Sequence, residues 1–146
     1  MHSQLKEKLW AYIVQNNPDL MFRLQEDYCV TQYLEEKVSS VMPTALSLLE
    51  QNKPGHVIHE LCLNELTAEL KPSRYNYIIT LLASEFKTEN ALLRSSGSLG
   101  YEAVNLVEYC AAIFDELRFS EQNLQDPNIY KAITEKVADY LLQERL

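Results

Sequence analysis

Val30-Thr-Gln-Tyr-Leu34-Glu-Glu-Lys-Val38-Ser-Ser-Val41-Met-Pro43-Thr-Ala45-Leu-Ser-Leu48-Leu-Glu-Gln51 decides the fold class. Its apolar residues Val30, Leu34, Val38, Val41, Ala45 and Leu48 recur at steps of three and four, which places them on one face of an α-helix. The stripe runs straight through Pro43. A proline there removes a backbone donor and crowds the carbonyl of Ser39, so a kink or a break is expected near Ser39–Met42.

The same spacing extends in both directions. Leu5, Leu9, Tyr12 and Ile13 predict a helix from about Ser3 to Asn16, with Ser3 as N-cap. Asn17-Pro18-Asp19 begins a short helical segment, with Asn17 as its cap. Ile58, Leu61, Cys62 and Leu66 predict a helix from about Pro54 to Leu70. After Lys71-Pro72, Ser73 caps a helix to about Phe86 that faces inward through Ile78, Leu81, Leu82 and Phe86. A fifth helix over about Tyr101 to Leu117 turns Val107, Ala111, Phe114 and Leu117 inward. A last one, about Pro127 to Glu144, packs Tyr130, Ile133, Val137, Tyr140 and Leu141. No strand pattern and no internal repeat stands out. The expectation is an all-α protein: one domain over 1–146, six or seven helices, orthogonal or bundle-like packing. Residues 87–100 show no period, and Ser95-Ser-Gly-Ser-Leu-Gly100 reads as a flexible loop.

Composition bounds the function. The chain has 146 residues, 47% hydrophobic and 23% charged, with 3 Gly and 5 Pro, which is globular rather than disordered. The formal net charge is −8, spread as 10 acids and 6 bases over residues 1–73 and 11 acids and 7 bases over residues 74–146. No basic block can neutralise a row of phosphates, so nucleic acid and anionic membrane surfaces are not expected partners. No run is apolar enough to span a bilayer and the N-terminal stretch does not read as a signal peptide, so a cytoplasmic location is expected. Cys29, Cys62 and Cys110 are odd in number and far apart, which fits reduced, packed thiols.

Several patterns carry residue types suited to chemistry. His56-x-x-His59-x-x-Cys62, with Glu60 and Glu65 nearby, is the densest metal-like cluster, but a closed site needs a ligand from elsewhere. Cys110 lies mid-helix in an apolar context, unsuited to a nucleophile. Phosphate loops and nucleophile elbows are absent from a chain this poor in glycine. The pair of helices over 54–86, with Arg74 and Asn76 opening the second, has the order of a helix-turn-helix, which leaves a DNA-associated regulator as an alternative. Residues 100–126 hold Glu102, Glu108, Asp115, Glu116, Glu121 and Asp126 against Arg118 alone, an acidic surface able to steer a basic partner. Tyr75 and Tyr77 flank one polar residue, as interface aromatics do.

Pro18-Asp19-Leu20, Ser73-x-Tyr75 leading to Leu82-x-x-Glu85-Phe86, and Pro127-x-x-Tyr130 to Tyr140-Leu141 together resemble the bacterial family called domain of unknown function 1896, over about residues 5–143. The resemblance implies a small all-helical protein of anaerobic gut and oral bacteria, sometimes encoded beside mobile elements. It implies no activity, because that family has no assigned functional residues to carry over. Pro72 stands where the family places an aromatic, and Pro43 interrupts a helix that is continuous there. The reading favoured by the sequence is a non-catalytic, cofactor-free module that binds another protein or itself. The contact residues expected are Tyr75, Tyr77, Glu108, Asp115 and Glu116, and the alternatives are the DNA regulator and a metal site at His56, His59 and Cys62.

Overall fold

The computed structural model describes residues 1–144. Among them are nine α-helices and no strand: α1 (His2–Asn16), α2 (Pro18–Glu26), α3 (Val30–Glu50), α4 (Gly55–Thr67), α5 (Arg74–Glu85), α6 (Lys87–Ser96), α7 (Leu99–Tyr109), α8 (Ala111–Glu116) and α9 (Pro127–Glu144). One 3-10 turn, Ala68–Leu70, follows α4. The all-helical class holds; the helix count is higher than the six or seven expected.

The chain divides between Lys71 and Pro72 into two compact units, where one domain over 1–146 was expected. Lys71 is extended (φ −106°, ψ 141°), as a residue before proline is driven to be. In the first unit, Leu5, Leu9 and Ile13 of α1 meet Val38, Val41 and Ala45 of α3 and Ile58, Cys62 and Leu66 of α4, all buried. Asn17 does not cap α2 with its side chain; its Nδ2 donates instead to the Leu70 carbonyl at 3.3 Å, tying the α1–α2 corner to the 3-10 turn. In the second unit, Ile78, Leu81 and Leu82 of α5 pack with Ala103, Leu106 and Val107 of α7, with Cys110 and Phe114, and with Ile129, Ile133 and Val137 of α9.

Pro43 does not break its helix, for α3 is continuous from Val30 to Glu50. Pro43 and Ser39 are both exposed, so the ring faces water and the carbonyl it displaces lies where water can serve it. The flexible loop expected over 87–100 is corrected outright: it is helix α6 and the start of α7. Its Gly97 is a helix terminator. Gly97 adopts φ 76°, its N–H donates to the Arg94 carbonyl at 3.2 Å, and the Ser98 N–H donates to the Leu93 carbonyl at 3.0 Å. Those two bonds are the Schellman motif. The fifth helix is corrected as well. It stops at Tyr109, and α8 restarts at Ala111 after Cys110 takes φ −93°, ψ 2°. That break leaves Leu117 exposed rather than inward.

The Schellman pattern recurs three more times, and each time the left-handed residue is not glycine. Tyr28 (φ 54°) closes α2 by Tyr28 N–H to Gln25 and Cys29 N–H to Leu24. Asn52 (φ 59°) closes α3 by bonds to Leu49 and Leu48, and Arg118 (φ 52°) closes α8 by Arg118 N–H to Asp115 and Phe119 N–H to Phe114. These residues account for every non-glycine with positive φ among the described residues. A side chain in that conformation costs about 1 kcal/mol. Tyr28 is 96% exposed and returns no packing. Tyr28→Gly is therefore expected to raise stability by about 0.5–1 kcal/mol in chemical denaturation. Leu9→Ala, at a fully buried position of the first unit, is expected to lower it by about 2–5 kcal/mol.

Candidate functional site

A cavity lies within the second unit. It holds about 350 Å³ and is lined by Pro72, Ser73, Asn76, Tyr77, Thr80 and Leu81 at the start of α5, by Leu124 and Gln125 of the following loop, and by Tyr130 of α9. Positions 73, 76, 77, 80 and 81 follow the three-and-four spacing of one helix face, so a single stripe of α5 forms one wall. Ser73 starts that wall as the sequence predicts: its Oγ accepts the Asn76 N–H at 3.0 Å.

The opposite wall is set by hydrogen bonds in the 117–126 loop. Asn123 Oδ1 accepts the Ser120 N–H at 2.7 Å, and Asn123 Nδ2 donates to the carbonyls of Leu117 at 3.1 Å and Arg118 at 3.0 Å. Asp126 Oδ1 then accepts the Asn128 N–H at 2.8 Å, capping α9. Leu124 and Gln125 are held between these two fixed points. Tyr130 is oriented by its hydroxyl, which donates to Glu85 Oε1 at 2.8 Å.

Tyr77 is the centre of an aromatic cluster. Its ring stands edge-on to Phe119 at 4.9 Å, Phe114 at 5.8 Å and Tyr130 at 6.4 Å between centroids. Such pairs add about 0.5–1.5 kcal/mol each beyond burial. The Tyr77 hydroxyl is buried and has no hydrogen-bond partner among the described residues. Burial, with the charge of Asp126 second, holds it above the ordinary tyrosine range, so it stays protonated. No lining residue carries a formal charge at neutral pH. Arg74, which follows Ser73, is held elsewhere: its Nη2 donates to Asp115 Oδ1 at 2.6 Å and its guanidinium lies 5.1 Å from the Phe114 ring centre.

The residues singled out from sequence fare unequally. Tyr77 lines the cavity, while Tyr75 packs half-buried against the core with its hydroxyl close to Gly100. Glu108 and Glu116 are exposed, and Asp115 is the partner of Arg74. The acidic run 100–126 is partly structural, since Glu102 Oε2 accepts the Tyr140 hydroxyl at 2.7 Å and Asp126 caps α9. The lining residues sequence reasoning missed are Thr80, Leu124, Gln125 and the cavity face of Tyr130. For Thr80 the signal was the polar run of Ser73, Asn76 and Thr80 interrupting an otherwise apolar stripe; Leu124 and Gln125 sent none.

The metal alternative loses its geometry. Cys62 is fully buried, His56 is exposed, and His59 Nδ1 lies 3.1 Å from the Lys8 ammonium. Partial burial and that cation depress the His59 pKa. Among the described residues, no three of His, Cys, Asp and Glu converge as a metal site. Of the helix-turn-helix alternative, the structure places α4 and α5 in different compact units and pairs Arg74 with Asp115. Burial pushes the Cys110 thiol up to about 11, so it carries its proton at neutral pH. No described helix is long and apolar enough to cross a membrane. No family model, curated protein or solved structure matches the chain.

Two measurements check this geometry. Tyr77→Phe removes only an unpartnered hydroxyl and is expected to leave stability within about 1 kcal/mol of the parent, whereas Tyr77→Ala is expected to cost about 3 kcal/mol or more. Burial, then the hydrogen bond to Glu85, raises Tyr130 to about 12. The folded state therefore holds this proton more tightly than the unfolded chain. Its contribution to stability is whole below about pH 10 and falls as pH rises from about 10 to 12. Tyr130→Phe is expected to flatten that decline in denaturation midpoints measured across the range.

Proposed function

We propose that this protein is a non-catalytic, cytoplasmic interaction module and that the α5–α9 cavity is where a segment of another protein docks. The observation that carries the reading is a concave site of about 350 Å³ walled by aromatic, aliphatic and neutral polar side chains, with no acid, base or thiol among them. Specific recognition sites are concave and mostly apolar, with a few placed polar groups. Buried aromatic anchors ringed by polar residues also carry the energy of protein interfaces. General acid–base and nucleophilic chemistry, in contrast, needs a titrating group near neutral pH. Tyr77 and Tyr130, the titratable groups of this lining, are both shifted upward. The exposed carboxylates of Glu108 and Glu116 are assigned to approach rather than to docking. The reading does not lean on the resemblance to domain of unknown function 1896.

Thr80 is exposed at the cavity wall, so Thr80→Arg fills the site without touching the core. Immobilised protein is expected to retain a partner from native lysate that the correctly folded Thr80→Arg variant retains at least about tenfold less. Equal retention by the two proteins, or none by either, overturns the reading.

A further inference from the structure

We propose that α6 is a strap that opens on its own: it undocks and unfolds, anchored at both ends, while α5, α7 and α9 stay folded. The inference is independent of the docking reading above. Two apolar residues are the anchors. Phe86, just before α6, and Leu99, just after Gly97 and Ser98, both pack against the core of the second unit. No apolar residue of α6 itself packs against that core, and none of its ten residues is buried. Ala91 is exposed and Leu92 is 64% exposed, while Leu93 is half-buried. The helix rests on α5 and α7, its neighbours in the chain.

A helix of ten residues is marginal in water unless packing supports it. The supports of α6 are local: the Schellman bonds at Gly97, and Glu89 in its first turn and Arg94 in its last, which complement the helix dipole. They restore the helix on closing but do not fasten it to the core. Phe86, the residue before α6, has no side-chain group able to cap it. Docking carries a penalty as well. Asn90 Oδ1 is buried and has no hydrogen-bond partner among the described residues, so undocking returns to water an acceptor that the closed state leaves unpaired. The chain can open without moving its anchors. Twelve residues separate Phe86 from Leu99, and extended they reach about 40 Å, whereas the ten of α6 rise only about 15 Å as a helix. Opening bares the side of α5 and α7 on which α6 rests, a surface the closed protein does not present. Segments with few buried apolar contacts are the ones that open below the global free energy.

The test is native-state amide hydrogen exchange on the full chain, read residue by residue against unfolded-chain rates. The amides of residues 91–96 are expected to exchange about a hundredfold or more faster than those of Leu82 in α5 and Val107 in α7. They are expected to speed up together as mild denaturant is added, because a cooperative opening exposes surface and simple fraying does not. Ala91→Gly, at an exposed helical position, is expected to accelerate α6 about threefold to fivefold and to leave α5 and α7 unchanged. Asn90→Leu, which removes the unpaired acceptor, is expected to slow α6 about tenfold with the same restriction. Protection of α6 equal to that of α5 and α7 overturns the proposal. So does acceleration of all three helices together by Ala91→Gly, since α6 then opens only when the whole unit does. Exchange in α6 that is scattered and indifferent to denaturant is fraying and overturns it, as does exchange that Asn90→Leu leaves unchanged.

Discussion

Helices of ten or so residues are marginal in water, because the first turn fixes several dihedral angles for one hydrogen bond. Here most persist because they lay an aliphatic stripe into a dry cluster, whereas α6 has no buried residue of its own. Leu5, Leu9 and Ile13 on α1 and Ile129, Ile133 and Val137 on α9 are successive four-residue steps that do this in the two units. Everything else is arranged around that burial. Short α8 exists because Phe114 is anchored in the core, and the cavity exists because the α5 stripe turns polar at Ser73, Asn76 and Thr80 just where another helix would otherwise cover it.

The second unit adds a layer of polar ties to its core. Tyr130 donates to Glu85, Tyr140 to Glu102 and Tyr109 to Asp139, so hydroxyl-to-carboxylate bonds fasten α9 to α5 and to α7. Each joins a ring that is partly buried to a carboxylate at the surface, giving the amphipathic tyrosine both of the environments it favours. In the first unit the surface ties are ion pairs instead: Lys6 with Glu35, and Lys37 with Glu69. Exposed pairs of that kind contribute little individually. The acidity of the chain is thus partly absorbed by its own tyrosines and lysines.

How much of this was legible depended on which physical signal each residue sends. Periodic burial is loud, and the stripes of α1, α3, α4, α5 and α9 could be read from it, although Leu61, expected inward on α4, is exposed. Helix ends are quieter. Tyr28 and Arg118 gave no warning of left-handed backbone, because the usual signal is glycine. Gly97 does carry that signal, but the composition of Ser95-Ser-Gly-Ser is that of a loop, whereas it forms the end of α6. The partition at Lys71–Pro72 was hidden because a tight turn between packed helices and a boundary between two cores use the same residues. Of the candidate site, Tyr77 was found as an aromatic beside polar neighbours. Leu124 and Gln125 were not, since their placement is set by the side chain of Asn123 folding the loop, a tertiary arrangement with no period to betray it.

Each of the two cores encloses one fully buried thiol, Cys62 in the first and Cys110 in the second, while Cys29 is only half-buried. The molecule therefore comes with a built-in clock for each half. Under an alkylating reagent and mild denaturant, the order in which Cys62 and Cys110 become labelled records which interior opens first, with no engineered reporter in either one.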